Sequence, residues 1–315
     1  MSRLHVFKIG TRTKLQREYD SIINIAYVID NKTPRATLWN AADPSTDLAL
    51  LRSEFVSDSP VESLRDHLRR LPDPATAASC LNDLFARRMR DWHYRPDTPV
   101  EEREKLGKAL DWWVDRRRII ECANFLGRLG CETLVQSAGG LSITELATAI
   151  EAIADEEANL RYGVVHGDLH TQNVLLDGRG KVYLIDFGWT AERWRAIDFL
   201  MMESSLKYLV APRSAHITDL LEMDQVIDGH SWGAQPDVDA IDRWSAKRMF
   251  GKTLALVTSA VVETRRHAAL SGAVLSAEQY RKGLALLGAG LTSMPPKINL
   301  ALVLASTAYQ VKQLR

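Results

Sequence analysis

The chain has 315 residues, with 40 Lys+Arg against 40 Asp+Glu, and its hydrophobic and charged shares are those of an ordinary globular protein. It is long enough for one large or two modest domains, and it can bury a core without disulfides or metals. The zero net charge argues against a general nucleic-acid binder, which carries a basic surplus, and against a protein held electrostatically on a membrane.

The N-terminus, MSRLHVFKIGTRTK, carries cations through its only apolar stretch and is not expected to act as a secretory signal. Leu4 to Ile9 alternates β-favouring residues and breaks at Gly10, which predicts a strand. Lys14 to Ala26 has helical periodicity, with Leu15, Tyr19, Ile22, Ile23 and Ala26 on one side. Arg35 to Ala41 and Leu48 to Val56 read as two strands joined by the turn cluster Asp43-Pro44-Ser45-Thr46. Past a polar connector, Ser57 to Pro60, the composition turns helical. Val61 to Leu71, Pro74 to Asp91 and Glu101 to Leu129 are expected as helices, the last with Glu104 four residues before Lys108. Ser142 to Asn159 follows, with Ser142 and Glu145 spaced as a capping box. A strand-rich island, Gly163 to Trp189, interrupts the helices, which then resume. Ile298 to Tyr309 is too short to span a bilayer and reads as a packed helix. The three cysteines, Cys80, Cys122 and Cys131, have no C-x-x-C spacing and read as thiols of a reducing compartment. A cytoplasmic protein is expected.

The island reads VVHGDLHTQNVLLDGRGKVYLIDFGWT. An apolar strand leads into His166-Gly167-Asp168-Leu169-His170. Val174 to Leu176 and Lys181 to Phe187 are two strands about the turn Asp177-Gly178-Arg179-Gly180. That turn sets Asn173 opposite Leu184 or Ile185, so Asp186 falls within a residue or two of Asn173 across the ladder. Asp168 lies five residues upstream of Asn173. Asn173 and Asp186 can supply hard oxygen ligands to Mg²⁺. Asp168 remains as a carboxylate able to orient or deprotonate a hydroxyl. Phosphoryl transfer needs this combination. His166, Asp168 and His170 also form a His-x-Asp-x-His pattern, a distant zinc-hydrolase alternative.

The segment resembles the catalytic core of the aminoglycoside phosphotransferase and choline kinase family, small-molecule relatives of the protein kinases. H-G-D-x-H-x-x-N stands at 166–173, and the Asp of I-D-F follows thirteen residues after the Asn. The resemblance implies a two-lobed α+β protein-kinase-like fold, with a small β-rich N-terminal lobe and a larger, mainly helical C-terminal lobe. It implies Asp168 as catalytic base, Asn173 and Asp186 as Mg²⁺ ligands, and His166 and Asp198 as supports of the loop. Lys8 resembles the strand lysine that pairs with nucleotide phosphates, and Glu18 its ion-pair partner. Lys14 competes with Lys8 from the helix start. Gly167 stands where protein kinases carry Arg, and no A-P-E follows, which favours a small hydroxyl acceptor over a protein. The family places two strands and a phosphate-covering loop ahead of the strand lysine. Here only seven residues precede Lys8 and no G-x-G-x-x-G occurs, so the first lobe is expected to be incomplete.

The expected organisation is a partial nucleotide-binding lobe over residues 1–56 and a catalytic lobe over 57–315, with the catalytic loop and metal-binding hairpin at 163–189. The expected activity is ATP-dependent transfer of a phosphoryl group to a small-molecule hydroxyl, with ATP and Mg²⁺ required. The alternative is a pseudokinase that binds a protein partner as a scaffold in a bacterial signalling system. Arg116 to Arg118 read as a solvated helix face, and Trp112 and Trp113 as core.

Overall fold

The computed structural model describes residues 2–26, 35–41, 43, 45–57, 60–90, 100–110, 116–292 and 298–315. The chain opens as strand, helix, strand, strand: β1 (Ser2–Gly10), α1 (Arg12–Ala26), β2 (Arg35–Asn40) and β3 (Ala49–Ser57). The strands form an antiparallel sheet in the order β1-β3-β2. Asp43 shapes the turn before β3: its Oδ1 accepts from the Ser45 backbone N–H at 2.8 Å and from the Ser45 hydroxyl at 2.7 Å. Leu15 and Ile22 of α1 are buried in the core. Ile23, placed by periodicity on the same side, is exposed, because 100° of rotation from Ile22 carries it past a narrow buried stripe. Trp112 and Trp113 lie outside the described residues, as do the side chains of Arg116 to Arg118.

Two stretches expected to be helical begin as strands. Val61–Ser63 forms β4 and pairs with β7 (Val174–Asp177); helix α2 covers only Leu64–Leu68, capped by the Ser63 hydroxyl. Val100–Lys105 forms β5 and pairs antiparallel with β6 (Glu157–Val165). Its residues, VEEREK, favour helix intrinsically, but the partner strand overrides propensity. Cross-strand ion pairs decorate that ladder, Arg161 with Glu101 at 3.0 Å and Arg103 with Glu157 at 2.9 Å. Lys108 does meet Glu104, but the pair joins the strand to the short helix Leu106–Ala109 that follows it. The next helix starts at Arg116. The Ser142–Glu145 capping box forms as expected and opens helix Ile143–Asp155.

Two further three-stranded sheets, β4-β7-β8 and β5-β6-β9, use β8 (Val182–Leu184) and β9 (Ala191–Trp194). Behind them lies the helical core. Its axis is helix Gly251–Leu270, buried along most of its length, with α3 (Pro74–Asp83) and helices Ala196–Ser205 and Val238–Ser245 packed on it. Hydroxyls inside it bond back to the chain: Thr258 to the Leu254 carbonyl and Thr264 to the Ala260 carbonyl, both at 2.8 Å. The last helix, Leu300–Lys312, packs on helices Arg128–Gly139 and Ala277–Leu291. Among the described residues no helix is long and apolar enough to cross a membrane.

Candidate functional site

Strand β6 delivers the chain to His166, and there the loop is pinned from below. Asp198, in the first turn of helix Ala196–Ser205, has no exposed surface. Its Oδ2 accepts from the His166 backbone N–H at 3.0 Å, and its Oδ1 from the Gly167 N–H at 2.9 Å. The His166 Nε2 lies 2.9 Å from the Ile185 carbonyl, which makes Nε2–H the donor. Burial pushes the His166 pKa down, so the ring is neutral. Donation from Nε2 leaves Nδ1 as the one His166 atom able to ligate a metal; the zinc alternative is set aside because His166, Asp168 and His170 are not grouped to hold one. Among the described residues no group of three or more His, Cys, Asp or Glu is placed to hold a metal.

Gly167 has φ of +78°, and a Cβ there would meet the Trp189 carbonyl oxygen at 2.3 Å. No side chain fits, which explains in packing terms why the Arg of protein kinases is missing at this position. The loop then turns on itself. The His170 N–H reaches the Asp168 carbonyl and the Asn173 N–H the His170 carbonyl, both at 2.9 Å. Ser205 Oγ accepts from the Thr171 N–H at 3.0 Å, and the Thr171 carbonyl from the Arg65 N–H at 3.1 Å. Sequence reasoning missed Ser205: it lies 34 residues from the loop it anchors, with no local signal.

The hairpin has the expected register. Val174 pairs with Leu184, and the Ile185 N–H donates to the Asn173 carbonyl at 3.0 Å, so Asp186 stands one residue beyond Asn173's partner. The return strand ends at Leu184 and does not run to Phe187. Asp186 has φ 66° and ψ 62°, left-handed backbone that leaves the ladder and enters the short turn Phe187–Trp189. It is the one described residue other than glycine with positive φ, a conformation that holds only where surrounding structure enforces it.

Lys8 contacts Asp186 from β1, Asp168 feels its charge, and the hairpin register sets Asn173 beside it. Asn173 Nδ2 donates to the Asp168 carbonyl at 2.9 Å and lies 3.4 Å from its Oδ2, which leaves the Asn173 Oδ1 as the end open to a cation. Asp168 is largely buried; burial first, then the Asp186 charge, pushes its pKa up to about 7. Lys8 Nζ lies 2.7 Å from Glu18 Oε1 and 2.9 Å from Asp186 Oδ1. The ten-residue spacing of Lys8 and Glu18 suffices because Thr11 alone joins β1 to α1. Lys14 is exposed on α1. Burial works against the Lys8 ammonium, but the two carboxylates outweigh it and hold the pKa above the ordinary lysine range. His170 stands 3.8 Å from Asp168 and is pushed down to about 4 by burial, so it too is neutral.

The charges do not balance. Lys8 is the ammonium facing Glu18 and Asp186, and Asp168 and Asp198 add to the same negative field. The donor set fits a hard divalent cation: one carboxylate from Asp186, one amide oxygen from Asn173, and space on an edge that is partly exposed. Mg²⁺ is commonly held by one or two protein oxygens, with waters and phosphate oxygens completing its shell.

A model of the family described as Ternary complex associated domain 9 matches residues 115–271, which include the catalytic-type loop, the hairpin and Asp198. No curated protein matches the sequence. Among solved structures, a glucosamine kinase in crystal form B aligns with TM-score 0.51 and 17% identity, covering 97% of this chain and 70% of that one. An aminoglycoside-3'-phosphotransferase of type VIII aligns with TM-score 0.38 and 18% identity over 84% of this chain and 86% of that one. The ADP-bound aminoglycoside phosphotransferase APH(2'')-Ib gives TM-score 0.38 and 14% identity over 83% and 86%. The chain has a two-lobed α+β protein-kinase-like fold, with small sheets and a larger helical part.

Proposed function

We propose that the chain is an ATP-dependent phosphotransferase that moves the γ-phosphoryl group to a hydroxyl of a small molecule. The observation that carries this reading is the convergence of Asp168, Asn173, Asp186 and Lys8, from three separate elements, on one patch with excess negative charge. In this reading residues 1–56 form a nucleotide-binding lobe and 57–315 the catalytic lobe. Asn173 Oδ1 and the Asp186 carboxylate would hold Mg²⁺, which when bound neutralises charge on the phosphates. Lys8, steadied by Glu18, would pair with the nucleotide's phosphates. The Asp168 carboxylate would accept the acceptor's hydroxyl proton as that oxygen attacks phosphorus. His166 and Asp198 act through the loop they hold. Most of the rate enhancement then comes from positioning and electrostatics. Gly167 packed against Trp189 supports a small acceptor, because the Arg that protein kinases carry there has no room.

The test is thermal unfolding with ATP, with and without Mg²⁺, on wild type and Asp186→Ala. At a hundred times the dissociation constant a ligand adds about 2.7 kcal/mol, which moves the midpoint by at least roughly 2–4 °C in a protein of this size. A Mg²⁺-dependent rise that vanishes in Asp186→Ala is the expected result. A rise indifferent to both Mg²⁺ and the substitution would remove Asp186 from the metal site. Nucleotide binding without transfer to any hydroxyl acceptor would favour a scaffold over an enzyme.

A further inference from the structure

Along α1 an open groove of about 560 Å³ runs between the helix and Trp189–Ala191. Its volume lies within the range of small-molecule sites, and is far more than a lone inorganic anion needs. The helix wall is polar along its whole length. Arg12 and Thr13 stand at the N-terminal end, Arg17 one turn on, and Ser21 and Asn24 beyond. The facing wall is Trp189, with the Arg17 guanidinium 5.6 Å over its ring.

The arginines set the ligand's charge. Among the described residues neither guanidinium meets a carboxylate, and the Arg12 Nε is shut away from solvent without a hydrogen-bond partner. Asp47 takes only the backbone N–H of Arg12, at 3.1 Å. The one acid on the wall, Asp20, accepts from Gln16 Nε2 at 2.8 Å on its own helix. Planar guanidinium donors without a carboxylate partner suit an oxyanion, above all a phosphate, which they can grip at two points. The hydroxyls and amide beyond Arg17 suit a neutral body rich in hydroxyl groups. We infer that this groove is a second binding site, for a phosphate monoester of a small polyol such as a sugar phosphate, with the phosphate at Arg12 and Arg17 and the hydroxyls along Ser21 and Asn24.

Calorimetric titration with glucose 6-phosphate, without nucleotide, tests this on the full chain. Glucose and inorganic phosphate serve as single-feature probes. Submillimolar binding of glucose 6-phosphate is expected, with each simpler probe weaker by roughly tenfold or more. The doubly substituted Arg12→Gln, Arg17→Gln chain should lose at least about tenfold in affinity while keeping its far-ultraviolet circular dichroism spectrum and melting midpoint. Arg17 is exposed and Arg12 partly buried, and neither forms an ion pair that holds α1, so the fold should survive. No binding up to about 10 mM overturns the proposal. So does binding that the double substitution leaves unchanged, or that excess Mg²⁺–ATP displaces competitively, since that would put the probe in the phosphoryl-transfer site. Inorganic phosphate binding as tightly as glucose 6-phosphate would remove the polyol half of the assignment and overturn it as stated.

Discussion

Two of the charge clusters among the described residues differ in how far they balance. In the helical part, Lys207 meets Asp224 at 2.5 Å, and Ser306 bonds to both, at 2.8 and 2.6 Å. Nearby, Arg265 grips Glu203 with two hydrogen bonds, at 2.9 and 2.8 Å, and also meets Asp228, which Arg281 approaches from its other side at 3.6 Å, so three cations stand against three acids. Each cation there faces an acid. Burial works against the Lys207 ammonium, yet the adjacent Asp224 outweighs it and holds the pKa above the usual range. At the catalytic-type loop, Lys8 faces more carboxylates than it can neutralise, and Asp168 is pushed up to about 7, by burial first and then by the Asp186 charge. Burial alone does not tell the two apart, since Asp198 and Asp224 are both fully buried. Balance does. A balanced cluster offsets its own desolvation through geometry; an unbalanced one holds repulsion that a bound cation relieves.

The largest effect expected is on turnover at the unbalanced cluster. Asp168→Asn keeps the side chain's shape and removes its basicity. Transfer to an accepted hydroxyl substrate should fall by roughly 10²–10⁴-fold, while Mg²⁺-dependent ATP binding stays within a few-fold. Steady-state kinetics beside nucleotide titration would check it; unchanged turnover would remove Asp168 from the chemistry.

The balanced cluster should answer in stability. Lys207→Met strands Asp224 without its cation and should cost about 3–5 kcal/mol in urea unfolding. Replacing both, as Lys207→Met with Asp224→Leu, should restore most of the loss, because the penalty belongs to the unpaired charge. If the double substitution is as damaging as the single one, the pair contributes in its own right and the contrast with the site weakens.

How much of this was legible beforehand follows from where each constraint resides. The opening order β1, α1, β2, β3 was readable because alternation, periodicity and the Asp43 turn are local signals. So were the Ser142–Glu145 capping box and the hairpin register that sets Asn173 one residue from Asp186. β5 was not, because its charged residues favour helix and its partner β6 lies more than fifty residues on. The left-handed backbone of Asp186, the Ser205 anchor and the Lys8–Asp186 contact were also hidden. Each is imposed by a distant element, and no window of sequence contains both halves. Residue types at the site could be named from their spacing, but the charge excess that distinguishes the site could only be counted once the fold had brought β1, α1 and the hairpin together.

The smallest effect reads the burial of Asp168 and that excess together. In the unfolded chain Asp168 should titrate near the ordinary Asp value of about 4; in the folded chain it titrates near 7. Between those values the native state binds the extra proton, so raising the pH withdraws stability. The contribution is complete below about pH 4 and gone above about pH 7. Asp168→Asn has no such proton to lose. Its melting midpoint should therefore gain on wild type as the pH rises from 4.5 to 8, by on the order of 1–3 kcal/mol after discounting for solvent at the partly open edge. Each kcal/mol corresponds to about 2–4 °C. A divalent cation held by Asp186 offsets the same repulsion, so Mg²⁺ should narrow the gap at pH 8 and leave it unchanged at pH 4.5. A gap that does not vary with pH would mean that Asp168 ionises freely in the folded chain, and the site would then be as balanced as the cluster around Lys207.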